Sequence, residues 1–416
     1  MIHPKESTRQ SAMPSNPLQS HHAGLRPTEL PEPAAEAREH SNRLTGSIRA
    51  ELARSGGWMP FDRFMELALY APGLGYYTAG ARKFGEAGDF VTAPEISPLF
   101  ARCLARQCRQ LLEELAGGDL LEVGAGTGVL ATDLLLELEA LQMLPERYFI
   151  LEVSPDLQQR QRETLTLRAA HLLDRVQWLD AMPEPGFSGV VIANELLDAM
   201  PVSRFTIAES GVQEGFVRWS DEGFEHHWGE PVTPGLKGAV TALQAELGPF
   251  AVGYVSELNL RAGPWLRSLA QRIGRGAALL IDYGYPGAEY YHPQRSMGTL
   301  MCHYRHRAHD APLILPGLQD ITAHVDFSSI AKTGLDAGFE LKGYTTQAHF
   351  LLGCGLDSLL MESDPNEIES HITLMQAVKR LTMPTEMGER FKVVALGKGI
   401  ESSLMGFGLR DLSGRL

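Results

Sequence analysis

Three glycines at alternate positions, Gly124, Gly126 and Gly128, follow an apolar stretch that contains Glu122. Glycine in such a loop lets bare backbone approach a ligand, because a side chain would block the approach or forbid the dihedral angles. The loop leads into residues 129–141, whose apolar spacing is helical, so it joins a buried strand to a helix. A dinucleotide site requires G-x-G-x-x-G, and here the third glycine comes one place early, which disfavours an NAD enzyme. A tight turn without a ligand is the alternative interpretation.

A second acidic residue, Glu152, ends the next apolar stretch, one strand–helix–strand unit after the glycine loop. An acid at the carboxyl end of the second parallel strand is placed to accept both ribose hydroxyls of a nucleoside. The alternative is a solvated acid at a strand end. Ser154 and Pro155 then predict a helix start, and Asp156 adds negative charge to the first turn.

Three polar residues, Asn194, Glu195 and Asp198, follow the apolar strand at 190–193. Ligands of open α/β sheets bind outside the carboxyl ends of the strands, so we expect all three at the rim of the site. We predict that Glu195 and Asp198 share one turn of a starting helix and therefore lie on one face. Such a pair could bind a planar guanidinium and remove its proton. Alternatively, the two acids only favour the helix N-terminus electrostatically.

The glycine spacing with its preceding acid resembles the cofactor loop of class I S-adenosylmethionine (SAM) methyltransferases. With SAM as the ligand, Glu122, the three glycines, Glu152 and Asn194 are predicted to contact it. Asp89 or Thr92 could contact its methionine carboxylate or amine, and Asp180, which follows the third strand, its adenine amino group. Two alternatives remain, since Thr92 could cap a helix with Glu95 as its capping-box partner, and Asp180 could be a solvated turn residue.

An irregular segment at 285–330 is rich in His, Pro and Tyr and is predicted to be a substrate lid. We take His324 in this segment as a further catalytic candidate. The segment also contains potential metal ligands: His303, His306, His309, His324, Asp320 and Asp326. Their spacing fits no metal motif, so we predict no metal site.

Apolar strand patterns alternate with helical ones along most of the chain, which predicts an α/β fold with a doubly wound parallel sheet. A long helix is predicted from Glu95 to Leu115. The predicted domains are a disordered tail at 1–42, a helical N-terminal lobe at 43–117, a SAM-binding Rossmann-like core at 118–203 and 256–284, an inserted antiparallel β subdomain at 204–255, the lid at 285–330, C-terminal strands and helices completing the core at 331–400, and a tail at 401–416.

The 416 residues carry a formal net charge of −14, which disfavours nucleic acid as the main partner. The four cysteines show no C-x-x-C pair and no Cys/His metal spacing, as is typical of buried thiols in a reducing compartment. No apolar run reaches the roughly 18 residues needed to span a bilayer, and the N-terminal segment lacks the apolar core of a signal peptide. We therefore predict a cytoplasmic protein without a nucleic-acid partner or a membrane span, and the sequence leaves an oligomer open.

Six separated motifs together resemble the MidA-like SAM-dependent methyltransferases, a family related to the mitochondrial complex I assembly arginine methyltransferase. The motifs are Tyr-Ala-Pro-Gly-Leu-Gly-Tyr-Tyr at 70–77, the segment at 88–95, the glycine loop, Asn-Glu-Leu-Leu-Asp-Ala-Met-Pro-Val at 194–202, Asp-Tyr-Gly at 282–284 and the segment at 319–327. The resemblance implies a class I methyltransferase fold with a helical N-terminal lobe and insertions. It also implies methylation of a protein arginine, with Glu195 and Asp198 as guanidinium clamps.

Three other functions are weighed against this interpretation. The first is a SAM-binding assembly protein without turnover, which the presence of Glu195 and Asp198 disfavours. The second is a methyltransferase of a small metabolite. The third, a methyltransferase of RNA, is disfavoured by the net charge of −14 and by the absence of an Asn-Pro-Pro-aromatic or Asp-Pro-Pro-aromatic tetrapeptide after the fourth strand.

Overall fold

The computed structural model describes residues 30–80, 92–363 and 367–416. The helices are α1 Ala35–Arg54, α2 Phe61–Tyr70, α3 Ala93–Ile96, α4 Pro98–Leu115, α5 Val129–Ala140, α6 Pro155–Ala169, α7 Leu236–Leu247, α8 Ala262–Arg272, α9 Gly287–Tyr290, α10 Phe327–Asp336, α11 Gln347–Gly353, α12 Leu356–Leu360, α13 Ile368–Thr382 and α14 Met387–Arg390. The strands are β1 Trp58–Pro60, β2 Asp119–Val123, β3 Tyr148–Leu151, β4 Val176–Leu179, β5 Phe187–Asn194, β6 Ser203–Ala208, β7 Gly211–Ser220, β8 Gly223–Gly229, β9 Val255–Leu258, β10 Ile273–Tyr285, β11 Met301–Tyr304, β12 Arg307–His309, β13 Asp320–Thr322, β14 Val325–Asp326, β15 Glu340–Thr346 and β16 Phe391–Lys398.

The largest sheet has eight strands in the order β15-β16-β10-β5-β2-β3-β4, with β14 paired to β10. Strands β10, β5, β2, β3 and β4 run parallel, whereas β16 runs antiparallel between β10 and β15. The chain proceeds from β2 to β3 and β4 and then crosses to β5, so the strand order reverses beside β2. A reversal of this kind opens a crevice at the carboxyl ends of the strands, where ligands of α/β proteins bind. The predicted α/β fold with a doubly wound sheet is confirmed.

Buried side chains of the central strands alternate between two apolar layers. In β5, Val190 and Ile192 belong to the layer that includes α4, α5 and α11, whereas Val191 and Ala193 pack in the layer with α8 and α10. Successive strand residues point to opposite faces, so a strand covered on both faces is apolar throughout. Helices therefore cover both faces of the sheet and hold its carboxyl edge in place.

Two smaller antiparallel sheets are built from the inserted segments. The first has the order β1-β7-β6-β9 with β8 beside β7, and it draws β1 from the N-terminal region. The second has the order β12-β11-β13 and lies within the predicted lid. One apolar cluster joins α1 and α2 to Val217 of the first sheet and to Ile321 of the second. The N-terminal helices thus connect both insertions to each other.

The N-terminal tail prediction is wrong between Ala35 and residue 42, because helix α1 already begins at Ala35. Leu44, Ile48 and Leu52 repeat at helical spacing and are buried, which fixes the helix against its neighbours. Residues 1–29 of the predicted tail lie outside the described residues.

The long helix predicted from Glu95 to Leu115 is interrupted at Ser97, whose φ of −167° and ψ of 145° are extended. Its side chain accepts a hydrogen bond from the Leu99 backbone N–H, and Pro98 occupies the first turn of α4. Both features start a new helix, so α3 and α4 are separate.

The C-terminal tail predicted at 401–416 is packed instead. Leu404 and Phe407 are buried, and the ring of Phe407 packs edge-on against Phe350 with 5.6 Å between centroids. The Leu412 backbone N–H also donates to the Tyr344 carbonyl at 2.6 Å. The other domain boundaries stay predictions.

Candidate active site

A cavity of about 520 Å³ lies at the reversal of strand order, at the carboxyl ends of β2, β3 and β5. Most residues predicted to contact a cofactor line it. These are Glu122, Gly124, Gly126, Glu152, Asp180, Thr92 and Asn194, and the catalytic candidate Glu195 lines the cavity as well. Gly128, Asp198 and His324 do not line it, and Asp89 lies outside the described residues.

The glycine loop places Gly126 and Gly128 in two different environments, although both have positive φ, of 52° and 80°. A Cβ atom on Gly126 would meet no protein atom within 4 Å, so this part of the loop presents bare backbone to the cavity. A Cβ atom on Gly128 would lie 2.9 Å from the Cα atom of Gln161 in α6. Gly128 therefore allows α5 and α6 to pack closely, which is a structural reason for glycine at this position.

Glu152 follows β3 directly, and two hydrogen bonds hold its buried carboxylate. Oε1 accepts from the Ser154 backbone N–H at 2.8 Å, and Oε2 accepts from Nε2 of Gln161 at 3.2 Å. Burial raises the pKa of Glu152, and these two bonds oppose that rise. Ser154 also caps α6, which begins at Pro155, so the predicted helix start is confirmed. The acid therefore faces the cavity in a fixed orientation.

Glu122 lies deep in β2, at the inner wall of the cavity, with only 3% of its surface exposed. Its Oε2 accepts a hydrogen bond from the Tyr148 hydroxyl at 2.6 Å. Burial raises the pKa of Glu122 to about 7, because a charged carboxylate is poorly solvated there.

Thr92 precedes α3 at the N-cap position, but its side chain makes no capping hydrogen bond. The proposed capping-box partner, Glu95, instead accepts from the Thr127 hydroxyl of the glycine loop at 3.1 Å. The capping-box alternative is therefore wrong, because Glu95 is engaged by the loop. Asp180 is exposed at the outer edge of the cavity.

Glu195 does not begin a helix, because residues 195–200 form bends and turns. Its φ of 52° lies in the left-handed region, which costs a non-glycine residue about 1–3 kcal/mol. The backbone N–H donates to the Ile281 carbonyl of β10 at 2.9 Å, and this bond holds the turn. Side-chain atom Oε1 accepts from the Ala93 backbone N–H at 3.3 Å and from Nδ2 of Asn194 at 3.2 Å. The strained turn thus points a hydrogen-bonded carboxylate into the cavity.

Electrostatics favour the neutral form of Glu195. Burial, and then the negative charge of Asp198, raise the pKa of Glu195 to about 8. A carboxyl with a pKa near neutrality can accept and release a proton at physiological pH.

Asp198 lies behind the cavity wall with 5% of its surface exposed. Its Oδ2 accepts from the Tyr283 hydroxyl at 2.6 Å, while Oδ1 is a buried atom with no hydrogen-bond partner among the described residues. Burial raises the pKa of Asp198 to about 6. The prediction that Glu195 and Asp198 lie side by side on one helical turn is wrong, because the chain turns at Glu195 instead of entering a helix.

Asp282 at the end of β10 stabilises the same turn. Its Oδ2 accepts from the backbone N–H groups of Leu197 at 2.9 Å and of Asp198 at 3.2 Å. Burial and the neighbouring acids raise its pKa well above the ordinary value. Three acids therefore meet where β5 and β10 end.

His324 packs against aromatic rings outside the cavity lining. Its ring stacks on Tyr285 with 5.3 Å between centroids and meets Tyr283 edge-on at 5.0 Å. Its backbone N–H donates to the Thr299 hydroxyl. Across the described part of the chain, no group of three or more His, Cys, Asp or Glu residues is arranged to hold a metal ion.

The cavity lining also includes Tyr70, Tyr77, Arg261 and Trp265, to which the sequence analysis assigned no role. The Tyr70 hydroxyl donates to the Ala199 carbonyl at 2.9 Å, and the Tyr77 hydroxyl donates to Asp320 at 2.9 Å. Both tyrosines lie in the Tyr-Ala-Pro-Gly motif, so the sequence contained a signal for them. The sequence contains no such signal for Arg261, which the fold brings to the cavity beside Glu66 at 2.7 Å.

Residues 103–345 match the family described as "Putative S-adenosyl-L-methionine-dependent methyltransferase". The chain belongs to this family. It is therefore a SAM-dependent methyltransferase, and the resemblance and cofactor predicted from the motifs are confirmed.

Curated relatives cover most of the chain. The protein arginine methyltransferase NDUFAF7, mitochondrial, of Danio rerio is 32% identical over 85% of this chain and 87% of its own length. The Homo sapiens protein of the same name is 29% identical over 82% of this chain and 81% of its own length. The predicted cytoplasmic location is wrong by this comparison, because these relatives are named mitochondrial.

A solved structure from Burkholderia thailandensis, bound to S-adenosyl-homocysteine, is 46% identical to this chain with a TM-score of 0.89. The match covers 93% of this chain and 100% of that one. It supports the class I methyltransferase fold. Helices long and apolar enough to cross a bilayer are absent from residues 30–80, 92–363 and 367–416.

The cavity fits SAM in its chemistry. It combines bare backbone at Gly126, a buried acid at the end of β3, and apolar walls that include Leu130, Leu157 and Met182. SAM supplies a methyl group on a sulfonium, so a large part of the protein's contribution is to bind and align the two reactants.

Proposed function

We propose that this SAM-dependent methyltransferase methylates a protein arginine side chain, with Glu195 as the carboxylate that receives the guanidinium. The observation that carries the proposal is the strained, hydrogen-bonded Glu195 in the wall of the cofactor cavity. The names of the curated relatives, which are protein arginine methyltransferases, support the same acceptor.

The cofactor residues are assigned by their positions around the cavity. Glu152 accepts the ribose hydroxyls, and the bare backbone at Gly126 leaves room for the methionine part. Asp180 at the outer edge bonds the adenine amino group. Thr92 and Asn194 lie toward the Glu195 side and contact the amino-acid end.

Arginine requires help from the protein, because a protonated guanidinium has no free lone pair to attack a methyl group. Glu195 binds the cation through charge-assisted hydrogen bonds. It takes one guanidinium proton as the new N–C bond forms and the methyl–sulfur bond of the sulfonium breaks, which leaves a neutral thioether. The bonds from Ala93 and Asn194 both end on Oε1, and no hydrogen bond from a described residue ends on Oε2. Oε2 is therefore the oxygen assigned to the guanidinium.

Asp198 acts through its charge on Glu195 and does not itself bind the guanidinium. Its buried carboxylate accepts from Tyr283 and does not line the cavity. Its charge is a cause of the high pKa of Glu195, and so it makes Glu195 a stronger base. His324, which also lies outside the cavity lining, acts by supporting the ring of Tyr283.

The test is methyl transfer from labelled SAM to proteins of a lysate, followed by mass spectrometry of the labelled residues. We expect labelled arginine with the wild type, and a loss of about 100-fold or more in Glu195→Gln. Glu163→Gln, an exposed acid on α6, is the matched control and should retain full activity. Label on a small metabolite, or on a residue other than arginine, would contradict the proposal.

A further inference from the structure

Gln161 is a fully buried glutamine in the middle of α6, with no exposed surface. Its Nε2 donates to Oε2 of Glu152 at 3.2 Å and to the Gly126 carbonyl at 3.0 Å. Its Oε1 accepts from the indole N–H of Trp178 in β4 at 2.9 Å. One amide group therefore contacts the acid after β3, the glycine loop and strand β4.

These three bonds allow only one orientation of the amide. Nε2 has two hydrogens and Oε1 has none, so a rotated amide would place its oxygen against the Glu152 carboxylate and the Gly126 carbonyl. The indole N–H of Trp178 would then face a second donor. Since each of these contacts would be repulsive or unpaired in a buried site, the observed orientation is strongly preferred.

The backbone around Gln161 is packed to make these contacts possible. The bare Gly128 allows the Gln161 backbone to approach the start of α5, as described above. One turn further along α6, the Thr164 hydroxyl donates to the Thr127 carbonyl at 2.8 Å. Helix α6 thus holds two successive carbonyls of the glycine loop, at Gly126 and Thr127, and Gln161 also reaches the carboxylate of Glu152.

We propose that Gln161 is a positioning residue that fixes the Glu152 carboxylate and the Gly126 backbone as one unit and thereby sets the affinity for the nucleoside half of SAM. This inference rests on the cofactor cavity assigned above and is independent of the identity of the methyl acceptor. Ser154 holds one oxygen of Glu152 and Gln161 holds the other, so the ribose meets an acid that cannot rotate. Pre-organisation of this kind increases affinity, because less freedom is lost on binding.

The test measures S-adenosyl-homocysteine affinity by calorimetry in Gln161→Met, which keeps the length of the side chain and removes its hydrogen bonds. We expect binding about 10- to 100-fold weaker than wild type, since a hydrogen bond to a charged group is lost. Gln107→Met is the matched control, because Gln107 is equally buried, donates to Gln110, accepts from the Gly406 backbone N–H and does not line the cavity. That variant should bind like the wild type.

A second measurement separates positioning of Glu152 from general damage to the fold. The same proteins are titrated with an analogue of S-adenosyl-homocysteine that lacks the ribose hydroxyls. The quantity compared is the ratio of the affinity for S-adenosyl-homocysteine to the affinity for the analogue. This ratio should be at least ten in the wild type, and in Gln161→Met it should fall toward the value for Glu152→Ala. A misfolded fraction would change both affinities equally and leave the ratio unaltered.

Trp178→Phe provides a milder variant, because it removes the indole N–H that fixes the amide, together with part of the ring system, but leaves the Gln161 side chain itself in place. We expect its affinity for S-adenosyl-homocysteine to be roughly 3- to 10-fold weaker than that of the wild type. The ratio of this affinity to the affinity for the analogue should also be lower than in the wild type. A ratio that stays at the wild-type value in both Gln161→Met and Trp178→Phe would overturn the proposal. So would a wild-type protein that does not bind S-adenosyl-homocysteine.

Discussion

The pH dependence of methyl transfer follows from the environment of Glu195. Because its pKa is raised to about 8, only about a tenth of the free protein carries an ionised Glu195 at pH 7, and about nine tenths do so at pH 9. The acceptor guanidinium stays protonated throughout this range. If the ionised form binds the guanidinium, kcat/KM for the acceptor should rise about tenfold between these two values and then level off.

The assay is initial-rate transfer from labelled SAM at saturating cofactor and low acceptor concentration, at constant ionic strength. Glu195→Gln should show no increase in kcat/KM with pH. Its kcat should be about 100-fold or more below that of the wild type, because the proton acceptor is gone. Its affinity for S-adenosyl-homocysteine should stay within about twofold of wild type. Glu163→Gln should reproduce the wild-type profile.

Other acids lie close to Glu195. Assigning the pH dependence to Glu195 therefore requires a variant that shifts the profile of kcat/KM against pH. Asp198, Glu95 and Asp282 are the neighbouring carboxyl groups. Replacing Asp198 with Asn removes a negative charge, which should lower the pKa of Glu195 and move the rise to lower pH. A flat wild-type profile, or an unchanged rise in Glu195→Gln, would refute this reasoning.

Three further outcomes are expected. Gly126→Val should abolish measurable S-adenosyl-homocysteine binding in calorimetry, because the new side chain would enter the cavity, and near-wild-type affinity would count against the site. Gly128→Ala should lower the free energy of unfolding by about 1–3 kcal/mol in denaturant titration, since its φ of 80° and the 2.9 Å approach to Gln161 both resist a Cβ atom; equal stability would argue against the packing role. Glu195→Gln should melt at a higher temperature than wild type at about pH 9 and lose this advantage near pH 5. The reason is that an acid whose folded pKa is raised from 4.5 to about 8 lowers stability progressively as pH rises through that window, and a pH-independent difference would exclude this cause.

The cofactor side of the site could be predicted from the sequence because its signals are local. The glycine loop and Glu152 each follow a strand directly, and parallel strands bring their carboxyl ends to one edge. The start of α6 could likewise be predicted from the sequence, since Ser154 is the N-cap and Pro155 is the first helical residue. Residues close together in sequence thus specify the cofactor side of the site, which consists of exposed backbone and the ends of strands.

The acceptor side could not be predicted as well, because it depends on contacts distant in sequence. Glu195 adopts a left-handed turn that its bonds to Ala93 and Ile281 help to stabilise, and an acid after a strand looks like a helix start. The burial of Gln161 could not be predicted either, since a polar residue in a helix is ordinarily solvated. Its burial follows from the packing of α6 on the glycine loop.

The central claim is that the cavity between the glycine loop and the ends of β3 and β5 binds the nucleoside of SAM. A crystal structure of this chain with S-adenosyl-homocysteine tests it most directly. We expect the ribose hydroxyls within hydrogen-bond distance of Glu152 and the amino-acid part beside Gly126, with the sulfur facing Glu195. Ligand bound elsewhere, with Glu152 turned away or the cavity closed, would contradict the claim.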